Sequence, residues 1–309
     1  MPTTSHAQPA GDARSVLGAA QAAAGPSVFR AGRAGRVSPV APLQVTVLNG
    51  NLGFVTQTLL VGHTRASVLT GSEAVVNRLI GGGMATSLAA GLYPDAPGTH
   101  QVFMNTRKSV DNPWRDPQPS KVLVLGLGPE GKLTEQDLTH TVRLGVLALM
   151  QRESNAAAYG QAGLSEISLA ATLMGSGGAG MNPGTAARAI ATGVAQANAA
   201  ITHTQAELKD AQLWPRVTQL TLVELYLERA SDAWAGLQVL ADSAPGRYAI
   251  TPTISSGVGP LRRQLDTGYR GTDHDFISAT SDPMAGGDGR IAFTLDTRSE
   301  ERRVGKECW

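Results

Sequence analysis

The chain has 309 residues, 42% of them apolar and 17% charged, and its 26 basic and 25 acidic side chains leave a formal net charge of +1. That length allows one large or two small domains, and that apolar content suits a buried globular core. The near-neutral balance excludes a nucleic-acid surface, which needs a basic patch with stacking aromatics, and no stretch is apolar for long enough to form a membrane helix.

Both ends of the chain stand apart from its middle. Residues 1–40 are rich in Ala, Gly and Pro and carry Arg14, Arg30, Arg33 and Arg36 against Asp12 alone, a composition that predicts a disordered arm. No Lys or Arg precedes Arg14 and Ser15 to Ala24 is only weakly apolar, so this arm does not read as a signal peptide. Arg298 to Cys308 resembles the conceptual translation of a sequencing-library adapter and is set aside from fold reasoning, with the expectation that the natural protein continues beyond Thr297. Setting aside its four basic and three acidic residues lowers the counts from 26 and 25 to 22 and 22, and removes the single cysteine, Cys308. A segment without cysteine has no disulfide framework, thiolate nucleophile or Cys metal ligand. Positions 41–297 hold 18 basic and 21 acidic residues. The expected location is the cytoplasm.

In chain order, Leu43 to Asn49 and Phe54 to Val61 alternate like paired strands around Gly50-Asn51, which predicts an opening hairpin. Ser72 reads as the N-cap of a short helix over Val75, Val76 and Leu79, stopped by Gly81-Gly-Gly83, and a second short helix is expected over Met84 to Ala90. His100 to Asn105 is a strand, and Asp111 to Pro119 is a loop set by its prolines. A strand from Val122 turns through glycines into a helix whose stripe Leu138, Val142, Val146 and Leu149 carries it to about Gln151. Thr134 with Asp137 three residues later is a capping pair for that helix. Ile167 to Met174 reads as a buried strand, followed by the turn Gly175 to Gly180 and by Asn182-Pro183, a favoured N-cap and first-turn pair. The long helix after it buries Ala186, Ile190, Val194, Ala197 and Ile201.

Val217 to Leu225 is a further strand and Glu228 to Asp242 a further helix, with Ala230, Trp234, Leu237 and Leu240 on its core side. Beyond Pro245, the runs Tyr248 to Ile254, Phe276 to Ser278 and Ile291 to Leu295 read as short strands opening another module over 245–297. There is no internal repeat of solenoid period. Two units of strand, Gly-turn and helix imply right-handed crossovers. The expected class is therefore α/β, with a mixed, partly parallel sheet and flanking helices over 41–244, then a small β-rich segment.

The chemistry centres on the two Gly-rich turns. Gly126, Gly128 and Gly131 satisfy G-x-G-x-x-G after a strand, and Gly126 to Lys132 satisfies all but the last position of a P-loop. Leu133 stands where a P-loop needs the hydroxyl that meets magnesium, and Thr134 comes one residue too late. A dinucleotide fold needs a second strand ending in an acid about 20 residues on, where this chain is still helical. These two readings are the minor alternatives to a plain strand, turn and helix. Gly175, Gly177 and Gly180 repeat the spacing, with no acid until Glu207.

Both turns are expected at the carboxyl edge of the sheet, where open α/β folds bind ligands. The candidate anion-binding backbone is therefore Gly126, Gly128, Gly131, Gly175, Gly177, Gly178 and Gly180, with donors from two helix starts. The competing reading is that these glycines only permit tight turns and close packing. A small anionic or nucleotide ligand is the expected partner, and no cofactor or metal is assigned. The histidines at 6, 63, 100, 140, 203 and 274 show no metal spacing, and Asp273-His274-Asp275 reads as a solvated turn. There is no G-x-S-x-G elbow; His63 follows Val61-Gly62 but no nucleophile stands beside it. Arg262-Arg263 reads as surface, and no residue is assigned a catalytic role.

The order Val122 to Gly128, Lys132-Leu-Thr, helix, strand, second Gly-turn and Ala187-Arg-Ala-Ile-Ala-Thr-Gly-Val194 resembles the N-terminal macro-like domain of leucyl aminopeptidases, and so implies a macro-like sheet. The catalytic half of that family, with its Asn-Thr-Asp-Ala-Glu-Gly-Arg signature, is absent, so none of its catalytic residues carries over. Val61-Gly-His-Thr-Arg65, Gly91 to His100, Leu222 to Ala230 and Gly268-Tyr-Arg-Gly271 look like the N-terminal region of large bacterial CHAT-domain proteins. That resemblance implies a non-catalytic regulatory or ligand-sensing region of a larger protein, whose caspase-like peptidase, with its His and Cys, lies downstream. The alternatives are a macro-like binder or hydrolase of ADP-ribose or nucleotides, and a structural module taking protein partners through the Trp234 helix.

Overall fold

Successive residues of a strand point to opposite faces of its sheet, and the strand Lys121–Gly128 is apolar and buried on both, as a strand covered by helices on each side must be. The rest of the sheet follows the same logic in this computed structural model, which describes residues 41–108, 117–158, 166–177, 180–208 and 214–257, and the backbone of 276–282 and 290–296. Two units separate along the chain, residues 1–40 and 41–309; the elements below belong to the second.

In chain order these are β1 (Leu43–Asn49), β2 (Thr58–Thr64), α1 (Gly71–Leu79), α2 (Gly83–Ala89), β3 (His100–Met104), β4 (Lys121–Gly128), α3 (Glu135–Ala158), β5 (Glu166–Thr172), α4 (Pro183–Leu208), β6 (Arg216–Glu224), α5 (Leu227–Ser243), β7 (Tyr248–Ile250), β8 (Ser255–Ser256), β9 (Phe276–Asp282) and β10 (Arg290–Asp296). The main sheet has the order β3-β4-β2-β5-β6-β1-β7, with β8 also on β1. All of its pairings are parallel except that of β3 with β4. β9 and β10 form a separate antiparallel pair. The fold is thus a mixed α/β one, with a mostly parallel sheet flanked by helices.

Residue alternation assigns the two faces. Leu60, Leu123, Leu125, Leu169 and Ala171 pack with Val142, Val146, Ile190, Val194 and Leu237, the inner stripes of α3, α4 and α5. Leu59, Val61, Val122, Val124 and Ala170 pack with Val76 and Ile80 of α1 and its end and Met84 of α2. On the inner face of α4 the small residues Ala186, Ala187, Ala191 and Ala197 are fully buried. Trp234 belongs to the same core: it packs against the first cluster, and its indole N–H donates to the Thr251 carbonyl at 3.0 Å.

Three local expectations need correction. The hairpin at Gly50-Asn51 does not form: β5 and β6 lie between β2 and β1, and all four are parallel. Alternation records which residues are buried, not which strand is the neighbour, so it fits both arrangements. Asn51 instead caps a single 3-10 turn, Leu52–Phe54, by accepting from Gly53 N–H, and Phe54 lies outside any strand and is 56% exposed. The N-cap of α1 is Thr70, not Ser72, and its side chain makes no capping bond. α3 runs on to Ala158, past the Gln151 at which its clearest stripe ends. Of the strands read beyond Pro245, Tyr248–Ile250 pairs with β1 in the main sheet.

Candidate functional site

Because β1, β2, β4, β5 and β6 are mutually parallel, their carboxyl ends come out on one edge of the sheet, and a cleft of about 770 Å³ opens there. Its walls are Gly50 and Asn51 after β1, Thr64 and Arg65 at the end of β2, Leu127 of β4, Thr172 to Gly175 and Gly177 after β5, and Glu224 to Tyr226 with Arg229 after β6. Thr70 to Glu73, at the start of α1, close the remaining side. The volume lies within the range of small-molecule sites, and the position is where α/β sheets take ligands. Gly62 also lines it, packed so closely that a side chain there would come within 2.6 Å of Leu127 Cδ1.

The two Gly-rich turns take different parts in this edge. From the second, Gly175 and Gly177 line the cleft. Gly180 has positive φ and donates to the Gly177 carbonyl at 3.0 Å, and Gly178 lies outside the described residues. In the first turn, Gly126 and Gly128 make close packing contacts. Gly126 N–H donates to the Thr99 carbonyl at 2.9 Å, and a side chain there would strike the Ala96 carbonyl and Thr99 Oγ1. Gly128, at φ +80°, lies under Pro97 and accepts from Arg65 N–H at 2.9 Å, and Gly131 has φ +72° in the turn itself. Of this turn only Leu127 and Glu130 line the cleft.

At the two helix starts considered as anion donors, capping side chains already meet some of the first amides. Thr134 Oγ1 accepts from Asp137 N–H at 3.1 Å and donates to Asp137 Oδ2 at 2.6 Å, which closes the capping pair expected at α3. Asn182 Oδ1 accepts from Gly184 N–H at 2.8 Å and Thr185 N–H at 3.3 Å, satisfying the first amides of α4. The helix start that does face the cleft is that of α1, whose N-cap Thr70 leaves its amides without a side-chain acceptor.

Two polar networks hold the cleft walls. Arg229 donates through Nε to Glu224 Oε2 at 3.1 Å, and through its two terminal nitrogens to Ser176 O at 2.9 Å and Ser176 Oγ at 2.7 Å. This three-pronged contact ties the turn after β5 to the end of β6. On the opposite wall His63, fully buried in β2, shares Nδ1 between the Glu73 oxygens at 3.1 and 3.0 Å. Tyr93 donates its hydroxyl to Glu73 Oε1 at 2.9 Å, and its ring meets that of His63 edge-on, centroids 4.7 Å apart. Burial first, then the charge and hydrogen bond of Glu73, push the Tyr93 phenol above the ordinary tyrosine range, so it stays a neutral donor.

His63 stands out in the sequence without a partner; Tyr93, Glu224 and Arg229 fall within segments noted only for their resemblance, and Glu73 carries no signal of its own. Nothing local marks them, since Glu73 reads as an ordinary first-turn acid of a short helix and meets His63 only through the tertiary fold. Among the described residues no group of three or more His, Cys, Asp or Glu could hold a metal ion, and no helix is long and apolar enough to cross a membrane. Asp273-His274-Asp275 and Arg262-Arg263 lie outside the described residues.

No family model and no curated protein matches the chain. Solved structures similar to it include the Trypanosoma brucei macrodomain in complex with ADP, at 13% identity and TM-score 0.40 over 63% of this chain and 69% of that one. A second is the Oceanobacillus iheyensis macrodomain with MES bound, at 15% identity and TM-score 0.41 over 64% and 92%. A third is the T. brucei macrodomain in complex with ADP-ribose, at 14% and 0.39 over 63% and 68%. Likeness at this level is one of outline and assigns neither ligand nor activity. The comparisons lend no support to the CHAT-type or aminopeptidase resemblance.

Proposed function

We propose that the protein binds a small anionic ligand of the nucleotide class in the cleft at the carboxyl edge, with the anion against the Leu173–Gly177 turn. The observation that carries this reading is the cleft itself, sized for a small molecule and walled by the ends of five parallel strands. Of the two arginines of its wall, Arg229 is held by Glu224 and Ser176 and Arg65 forms an exposed pair with Asp95 at 3.0 Å, so the backbone of the turn is the anion-binding group we assign. Gly177 suits this: among the described residues a Cβ at that position would have no atom within 4 Å, so the backbone is open on that side. A regulatory role within a CHAT-type protein rests on sequence resemblance alone.

Calorimetric titration of the full chain with ADP-ribose and ADP tests the reading. Saturable binding is expected, weakened at least tenfold by Gly177→Asp, which sets a carboxylate where the anion should lie, on a Cβ that meets no atom of the described residues within 4 Å. Absence of heat from either ligand at millimolar concentration, or binding indifferent to Gly177→Asp, would overturn it.

A further inference from the structure

The cleft is chemically lopsided, and its acidic side is the informative one. Glu73 borders the cleft yet is only 7% exposed, and a carboxylate so far out of water is costly unless its charge is met by hydrogen bonds. His63 and Tyr93 meet it from the sheet and from the segment after α2. An ionised carboxylate offers about four acceptor sites, whereas these two neighbours supply one shared N–H and one O–H. Acceptor capacity is left over on a group that borders the cleft. Its place in the first turn of α1 adds the favourable end of the helix dipole.

The other charges around this wall decide what can approach it. Glu130 also borders the cleft, and the two arginines of its wall each face a carboxylate already, Arg65 that of Asp95 in an exposed pair and Arg229 that of Glu224. A phosphate beside Glu73 would be repelled without a counter-cation, whereas a group rich in hydrogen-bond donors would be drawn in. Building on the reading of the cleft as an anion-binding site, we propose that Glu73 is its specificity-determining residue. It accepts hydrogen bonds from the hydroxyls of a sugar carried by the ligand, while the ligand's anionic part lies at the Gly175–Gly177 turn. His63 and Tyr93 are positioning residues that aim the carboxylate. The site thereby favours a sugar-bearing phosphate over a bare one.

The test uses the full chain, with ADP-ribose as the sugar-bearing probe and inorganic pyrophosphate as a competitor without hydroxyls. Glu73→Gln keeps the shape of the side chain but turns one acceptor into a donor and removes the charge. ADP-ribose should bind at least tenfold more weakly to it, while the concentration of pyrophosphate that occupies the turn stays the same or falls. Tyr93→Phe should shift the same ratio in the same direction by a smaller factor, a change that mere loss of rigidity would not produce. Should Glu73→Gln fail to fold, Glu73→Asp, which keeps the charge but withdraws it by one methylene, gives the same readout.

Equal affinity of wild type and variant for ADP-ribose, or equal loss for both probes, would overturn the assignment of Glu73 while leaving the cleft a binding site. Failure of the wild-type chain to bind either probe would instead remove the reading on which the assignment rests.

Discussion

Adjacent glycines in one turn can be required for unrelated reasons, and the turn after β5 separates them. Gly175 has φ +80°, and a Cβ there would come within 2.7 Å of Leu133 Cδ2. Left-handed backbone alone costs a residue with a side chain about 1–2 kcal/mol, and the contact with Leu133 adds to it. Gly177 has neither constraint. Gly175→Ala is therefore expected to lose about 2 kcal/mol in denaturant unfolding, whereas Gly177→Ala stays within about 0.5 kcal/mol of wild type. The reverse order would show that the turn is not built as described. Gly126→Ala should be worse than either, because its neighbours there include the Ala96 backbone, which cannot rotate away as a side chain would. The shared G-x-G-x-x-G spacing says nothing of this difference, since it records where glycine occurs and not what it faces.

At the scale of elements, the junction of α4 with β6 depends on one buried amide. Asn198, 6% exposed, donates to the Val217 carbonyl at 2.7 Å and accepts from Val217 N–H at 3.0 Å, so both backbone groups of that strand residue are met by one side chain. Asn198→Ala strands both, and each buried unpaired group costs about 1–3 kcal/mol; a loss of about 3 kcal/mol in urea unfolding is expected. Removing the α4 cap with Asn182→Ala should cost about 1 kcal/mol, since water can reach the freed amides. If the two variants lost equal stability, the α4–β6 lock would not be what Asn198 provides. Most elements were legible before the structure, because helix stripes such as Leu138, Val142 and Val146, and caps such as Thr134 with Asp137, are local signals. Asn198 was not, since a polar residue on a helix announces neither its burial nor a partner 19 positions away.

Sheet order belongs to the whole molecule, and it was the least legible feature. The alternation in β1 and β2 suggested a hairpin because each strand buries alternate residues, yet their neighbours are β6, β7 and β8 for one and β4 and β5 for the other. That order gathers five carboxyl ends around one cleft, and it carries together His63 of β2, Glu73 of α1 and Tyr93 of the segment after α2. The network makes global stability depend on alkaline pH in a definite direction. An unfolded chain releases the Tyr93 proton near pH 10, whereas the folded chain holds it to higher pH, because burial and the Glu73 charge disfavour the phenolate. Below pH 10 both states keep the proton and the contribution is fully present. Above it the unfolded state is favoured by up to about 1.4 kcal/mol per pH unit for this one group. Tyr93→Phe lacks the ionisation: it should start less stable at pH 8, having lost the bond to Glu73, but fall less steeply between pH 10 and 11.5. Denaturant unfolding across that interval, wild type against variant, reads the two slopes directly, and parallel slopes would mean that Tyr93 is not held neutral by its surroundings.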